Sequence, residues 1–136
     1  MNIPVLGIGI DLVENARIRE SLEKFGDRFK RRIFLPSEQA YCDAKADPAI
    51  HYAGRFAAKE AVSKAFGTGI GAALGWCDIE IVKRDGSGEP LVHLHGGGEE
   101  LLKSRGGSRV LVSLTHTKDY SAAQAVLLRK QEIGNP

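Results

Sequence analysis

The chain has 136 residues, 43% of them hydrophobic and 26% charged, with a formal net charge of +2. That length fits one compact domain, residues 1–136, able to bury a core without disulfide or metal staples. The charge is too small for a general nucleic-acid surface, and no apolar run approaches the roughly 18 residues of a membrane helix, so neither nucleic acid nor membrane is an expected partner. The opening MNIPVLGIGID lacks the basic segment, long apolar stretch and small-residue cleavage site of a secretory signal, and a cytoplasmic setting is expected. Cys42 and Cys77 show no CxxC spacing and read as buried thiols.

Ile3 to Val13, rich in Ile, Val and Leu with glycines between, predicts a buried strand ending near Asp11. Asn15 is placed to cap a helix carrying Ile18, Leu22 and Phe25, which Gly26 stops; Asp27 caps the next turn. The segment RIRESLEKFGDRFKRR sets Arg17, Arg19, Lys24, Arg28, Lys30, Arg31 and Arg32 against only Glu20, Glu23 and Asp27. It is a basic patch suited to an acidic partner. A third helix is expected near Ser37 after Pro36, and a fourth after Pro48.

The fourth helix contains GRFAAKEAVSKAFGTG. At 100° per residue, Ala57, Ala58, Ala61, Val62 and Ala65 share one arc, while Arg55, Lys59, Glu60, Ser63 and Lys64 span the rest. The small side chains of the apolar arc permit close approach to a packing partner. Taken alone, Glu60 and Lys64 read as an exposed i,i+4 pair contributing about 0.2–0.5 kcal/mol.

Beyond it, CDIEIVKRDGSGEPLVHL reads as a hairpin, GGGEELLKSRGG as a short helix, and RVLVSLTHTKDYSAAQAVLLRK as a second hairpin turning at His116 to Asp119. The predicted class is α+β, an antiparallel sheet with helices packed on it. GTGIGAALG follows a helix and lacks GK[ST], so it is no phosphate loop; Gly67 to Gly69 either offer backbone N–H groups to a phosphate or simply close the helix. His93 and His95 have no third ligand nearby and read as solvated, whereas His116, in a turn between Thr115 and Thr117, is a ligand-facing candidate. No covalent nucleophile presents itself. What remains is hard-ion chemistry, with Asp11 and Glu60 as carboxylates for Mg²⁺ and Lys64, one turn from Glu60, reaching a phosphate.

Three ordered motifs carry a resemblance across nearly the whole chain. GIGIDLVENAR contains Gly9, Asp11 and Arg17 in a G-x-D-x5-R pattern; RFAAKEAVSKAFGTG contains Phe56, Lys59, Glu60, Lys64 and Ala65 in F-x-x-K-E-x-x-x-K-A; VSLTHTKDYSAA closes the set. The chain resembles the holo-[acyl-carrier-protein] synthases, the small class of 4′-phosphopantetheinyl transferase. Thr115 in place of serine, Ser121 in place of alanine and Glu89 in place of a basic residue depart from the pattern.

The resemblance implies the 4′-phosphopantetheinyl transferase fold and transfer of the phosphopantetheine arm of coenzyme A, the co-substrate, to a serine of apo acyl carrier protein, in support of fatty acid biosynthesis. It implies Asp11, Glu60 and Lys64 as catalytic residues, with Asp11 and Glu60 holding Mg²⁺. Arg55, Lys64, Gly67, Thr68, His116 and Thr117 would contact the coenzyme, and Arg17, Arg28, Arg31 and Arg32 would receive an acidic carrier. It also implies a homotrimer with active sites at subunit interfaces. The serine proton goes to Glu60, Asp11 or a metal-bound water, between which the sequence does not choose. A coenzyme A-dependent acyl transferase and a non-enzymatic basic binding module are the competing readings.

Overall fold

The structure, a computed structural model, describes residues 3–131. The elements run β1 (Val5–Glu14), α1 (Asn15–Phe25), α2 (Asp27–Ile33), α3 (Pro36–Asp43), α4 (Pro48–Phe66), a 3-10 turn (Trp76–Asp78), β2 (Ile79–Lys83), β3 (Pro90–Leu94), α5 (Gly97–Ser104), β4 (Gly107–His116) and β5 (Tyr120–Arg129). The predicted α+β class holds. An antiparallel three-stranded sheet has the order β1-β5-β4, and β2 and β3 form a separate antiparallel ribbon.

β1 runs on to Glu14, so Asp11 stands within the strand opposite Ala123 and not at its exit. Nor is the strand buried throughout. Alternation turns Gly9, Asp11 and Val13 inward, while Ile8, Ile10 and Leu12 remain 66%, 68% and 65% exposed on the outer face. The inward glycines decide how closely α4 can lie. A Cβ on Gly7 or Gly9 would overlap the carbonyl oxygen of Ala65 or Ala61, so the strand and the alanine arc meet backbone to backbone.

α4 is covered on two sides, which corrects the expected division into one apolar and one solvated arc. Ala57, Ala61 and Ala65 are buried toward the three-stranded sheet with Val13, Ala123 and Ala125, while Tyr52, Phe34, Cys42, Ile79 and Ile81 continue the core. Arg55, Lys59 and Ser63 are buried as a result. Asn15 is also reassigned. It begins α1 without capping it; its Nδ2 donates to the carbonyls of Thr117 and Lys118, each at 3.1 Å, and its Oδ1 accepts from Ser121 Oγ at 2.7 Å. The side chain therefore ties the start of α1 to the β4–β5 turn. Of the two cysteines, Cys42 is fully buried and its thiol is pushed up to about 12 by burial, whereas Cys77 is only half-buried.

Candidate active site

β1 and α4 bring Asp11, Glu60 and Lys64 together. Lys64 Nζ donates to Asp11 Oδ1 and to the Ile10 carbonyl, each at 3.0 Å, so its partner is on the strand and not the i,i+4 neighbour Glu60. Among the described residues the Glu60 carboxylate has no hydrogen-bond or ion-pair partner. Burial, and then the charge of Asp11, push its carboxyl above the ordinary glutamate range, with Lys64 offsetting part of the effect. Both carboxylates open into a groove of about 610 Å³ between β1, α1, α2 and α4, lined also by Arg17, Phe25, Phe29 and Phe56.

Two neighbouring carboxylates, one of them unpartnered, suit a hard divalent cation. Mg²⁺ typically takes one or two protein carboxylates and completes its shell with water and phosphate oxygens. The described residues hold no group of three or more His, Cys, Asp or Glu placed on one metal, so the other ligands would come from outside the chain. The donor set fits Mg²⁺ on that count.

Arg55 and His116 lie elsewhere. Five residues at 100° each put Arg55 about 140° around α4 from Glu60. There, with His51, Gly54, Lys83 and Thr115, it lines a second cavity of about 250 Å³ together with His116. The Arg55 guanidinium stacks 4.0 Å from the centroid of Tyr41, and its buried Nε has no hydrogen-bond partner. This is a strongly cationic place. Burial, followed by the charges of Lys45, Arg55, Lys83 and His116, holds His51 below the ordinary histidine range. Burial acts to raise the Tyr41 hydroxyl, but Lys83, Arg55 and Lys45 outweigh it and bring the group below its ordinary value. Tyr41, Lys45, His51 and Lys83 were not singled out from sequence. His51 and Arg55 at i,i+4 carried the one available signal; the others converge only through folding.

Gly67 closes α4 in the left-handed conformation at φ 77°, and its N–H bonds the Lys64 carbonyl at 2.9 Å. The N–H groups of Thr68 and Gly69 turn back to the Ser63 carbonyl at 3.3 and 3.2 Å, so these three donors serve as the helix closure, the second of the two readings of the glycines. Thr117 Oγ1 accepts from the amides of Asp119 and Tyr120 at the β4–β5 turn. Arg17, Arg28, Arg31 and Arg32 are exposed, and none makes an ion pair among the described residues. His95 is held by Glu80 at 2.8 Å.

The sequence profile of the 4′-phosphopantetheinyl transferase superfamily matches residues 7–125. A holo-[acyl-carrier-protein] synthase of Koribacter versatilis is 43% identical over 123 residues, 90% of this chain and 98% of that protein. The chain belongs to the holo-[acyl-carrier-protein] synthase family. It is a transferase of the phosphopantetheinyl class. A second holo-[acyl-carrier-protein] synthase, from Chlamydia trachomatis serovar L2, is 48% identical over 122 residues, covering 90% of this chain and 98% of its own. Among solved structures, the holo-[acyl-carrier-protein] synthase of Neisseria meningitidis superposes with a TM-score of 0.84 at 36% identity over 90% of this chain and 98% of that one. The Helicobacter pylori synthase, solved in complex with coenzyme A, gives 0.79 at 35% identity over 88% and 98%. The family's mixed helix and antiparallel-sheet fold is the one described above. No helix among the described residues is long and apolar enough to cross a membrane.

Proposed function

We propose that this chain, as a single transferase domain of residues 1–136, moves the 4′-phosphopantetheine arm of coenzyme A onto a serine of apo acyl carrier protein in the cytoplasm, supporting fatty acid biosynthesis. The serine oxygen bonds to the pyrophosphate phosphorus that carries the arm, and the bond from that phosphorus to the bridging oxygen breaks, releasing adenosine 3′,5′-bisphosphate. The observation that carries this reading is the Asp11 and Glu60 pair, with Lys64 on Asp11, at a groove that Arg17, which has no ion-pair partner among the described residues, also lines.

Asp11 and Glu60 would hold Mg²⁺, which when bound supplies positive charge against the pyrophosphate. Lys64, half-exposed on Asp11, adds a mobile cation at the reacting phosphate. Arg55, with its unpartnered Nε, and His116 suit the 3′-phosphate, joined there by His51 and Lys83. Gly67, Thr68 and Thr117 stay in the reading as coenzyme contacts, through groups other than the amides that close α4 and the β4–β5 turn. The decisive experiment is intact-mass measurement of apo carrier incubated with this protein, coenzyme A and Mg²⁺. Addition of the arm to serine, abolished by a chelator, supports the reading; an unmodified carrier overturns it.

The two cavities face different sides of α4, an arrangement that suits one coenzyme held between two copies, each supplying one cavity. The outer face of the sheet can seat that copy. Ile8, Ile10 and Leu12 on β1 share it with Val126 on β5 and the exposed Leu111 on β4. A homotrimer is the assembly we propose. Ile10→Arg is expected to convert it to monomers in analytical ultracentrifugation and to abolish transfer; an unchanged mass would remove this face from the interface.

The unpaired arginines belong to carrier docking. Charges at an interface rim act mostly on association and are screened over a Debye length of about 8 Å at physiological salt. Arg17→Glu with Arg28→Glu is expected to raise KM for the carrier about tenfold and flatten its salt dependence, leaving KM for coenzyme A near its original value. Parallel movement of both constants would place the two arginines at the coenzyme instead.

A further inference from the structure

Lys59 and Glu38 are both fully buried, and no step of the proposed reaction uses them. Their hydrogen bonds account for every donor of the ammonium. Lys59 Nζ donates to Glu38 Oε1 at 2.6 Å, to the Ile33 carbonyl at 2.7 Å and to the Trp76 carbonyl at 3.1 Å. Glu38 in turn accepts the Leu35 amide on Oε1 at 2.9 Å and the Ile81 amide on Oε2 at 3.0 Å. Burying two charges is costly even when they are paired, and an apolar pair of similar volume is often no less stable. Stability alone is therefore a weak reason for an ion pair at this place.

Its position supplies another reason. Ile33 is the last residue of α2, a helix of seven residues that leads with Asp27 and carries Arg28, Phe29, Arg31 and Arg32. So short a helix does not hold itself in water. Its terminal carbonyls need partners from outside, and a cation there also complements the helix dipole. The structure provides them. Phe34 N bonds the Lys30 carbonyl at 2.8 Å, Gln39 Nε2 donates to the Phe34 carbonyl at 2.9 Å, Cys77 Sγ lies 3.9 Å from the Arg32 carbonyl, and Lys59 takes Ile33. Lys59 is the one charged donor in that set. It is also the neighbour of Glu60 in the chain, on the same rigid helix. The ammonium lies 5.4 Å from the ring of Phe34, which packs edge-on against Phe29, a wall of the groove.

We propose that Lys59 is a positioning residue for the transfer reaction: by closing the C-terminal end of α2 onto α4, it holds the arginines and Phe29 of the carrier-docking surface in register with Glu60. The inference rests on the docking reading above. It separates two jobs within the K-E-x-x-x-K stretch of α4, where Glu60 lines the groove and Lys64 pairs with Asp11 of its wall, while Lys59 is buried on Glu38 and the end of α2 to anchor the opposing wall.

Lys59→Met is the direct test, with Val62→Ala as a destabilised control, since Val62 is buried in the same helix and belongs to none of these contacts. Both are assayed below their melting midpoints, at saturating coenzyme A and varied carrier. Lys59→Met is expected to raise KM for the carrier at least fivefold with KM for coenzyme A within twofold of the parent; Val62→Ala is expected to leave both unchanged. An equal effect of the two variants on carrier KM, or no effect of Lys59→Met, overturns the proposal. Native-state hydrogen exchange on the parent tests the anchor with no substitution. The amides of Arg31 to Phe34 are expected to exchange within tenfold of those of Ala57 to Val62, and opening of α2 while α4 stays protected overturns the anchoring. Arg28→Glu run alongside keeps the two levels apart. If it leaves carrier KM unchanged, the docking reading fails, while exchange still decides whether Lys59 holds α2.

Discussion

Asp11→Asn or Glu60→Gln is expected to lower turnover on the order of 10²-fold and to raise the Mg²⁺ concentration needed for half-maximal rate. Each substitution keeps the shape of the side chain and removes one anionic ligand from a cation that stabilises charge in the transition state, a loss of ~3 kcal/mol where a tenfold change in rate is about 1.36 kcal/mol. The fold should survive both. The Asp11–Lys64 pair is half-exposed on the lysine side, and such pairs contribute at most about 1 kcal/mol. Glu60→Gln also removes the repulsion from Asp11 that helps raise the Glu60 carboxyl, so its thermal midpoint should be unchanged or higher. Steady-state rates over a Mg²⁺ series, paired with thermal melts, check the expectation. Near-parent turnover at low Mg²⁺ for either variant would remove that residue from the metal site.

Lys64→Ala is expected to reduce kcat by about 10²-fold or more while KM for coenzyme A rises by only a few-fold. A preorganised donor at developing charge typically contributes about 10²–10³ in rate, and it does so because its interaction strengthens as the reaction proceeds. In the structure Lys64 rests on Asp11 and the Ile10 carbonyl and is about half-exposed, so moving to a phosphate breaks no buried contact. Single-turnover rates at saturating coenzyme A separate the chemical step from binding. A variant with parent kcat and a raised coenzyme KM would make Lys64 a binding residue only.

Much of the site was legible because its residues sit on regular elements. Period two along β1 and the helical period along α4 are properties of the local chain, so Asp11, Glu60 and Lys64 could be nominated by number, and the alanine arc announced a close approach that Gly7 and Gly9 complete only in the fold. The same logic misjudged Lys59 and Arg55. A helical wheel assigns charged residues to solvent, but α4 is packed on two sides, and burial of a lysine depends on Glu38, Ile33 and Trp76 arriving from other segments. The Asn15 side chain went astray for a related reason: capping is local, whereas its bonds to Thr117, Lys118 and Ser121 cross the whole chain.

By itself, then, the sequence carried the α+β class and the two hairpins, which depend on periodicity along single elements, and the family resemblance, which depends on three ordered motifs and nominated Asp11, Glu60 and Lys64. Tertiary structure decided which cation pairs with which anion, that Arg55 and His116 join His51 and Lys83 in a cavity apart from the carboxylates, and that an apolar sheet face is left outward. The reason is physical. Periodicity specifies the direction of a side chain relative to its own element, but burial and charge pairing depend on what other elements bring to that direction, and those contacts are long-range in the chain.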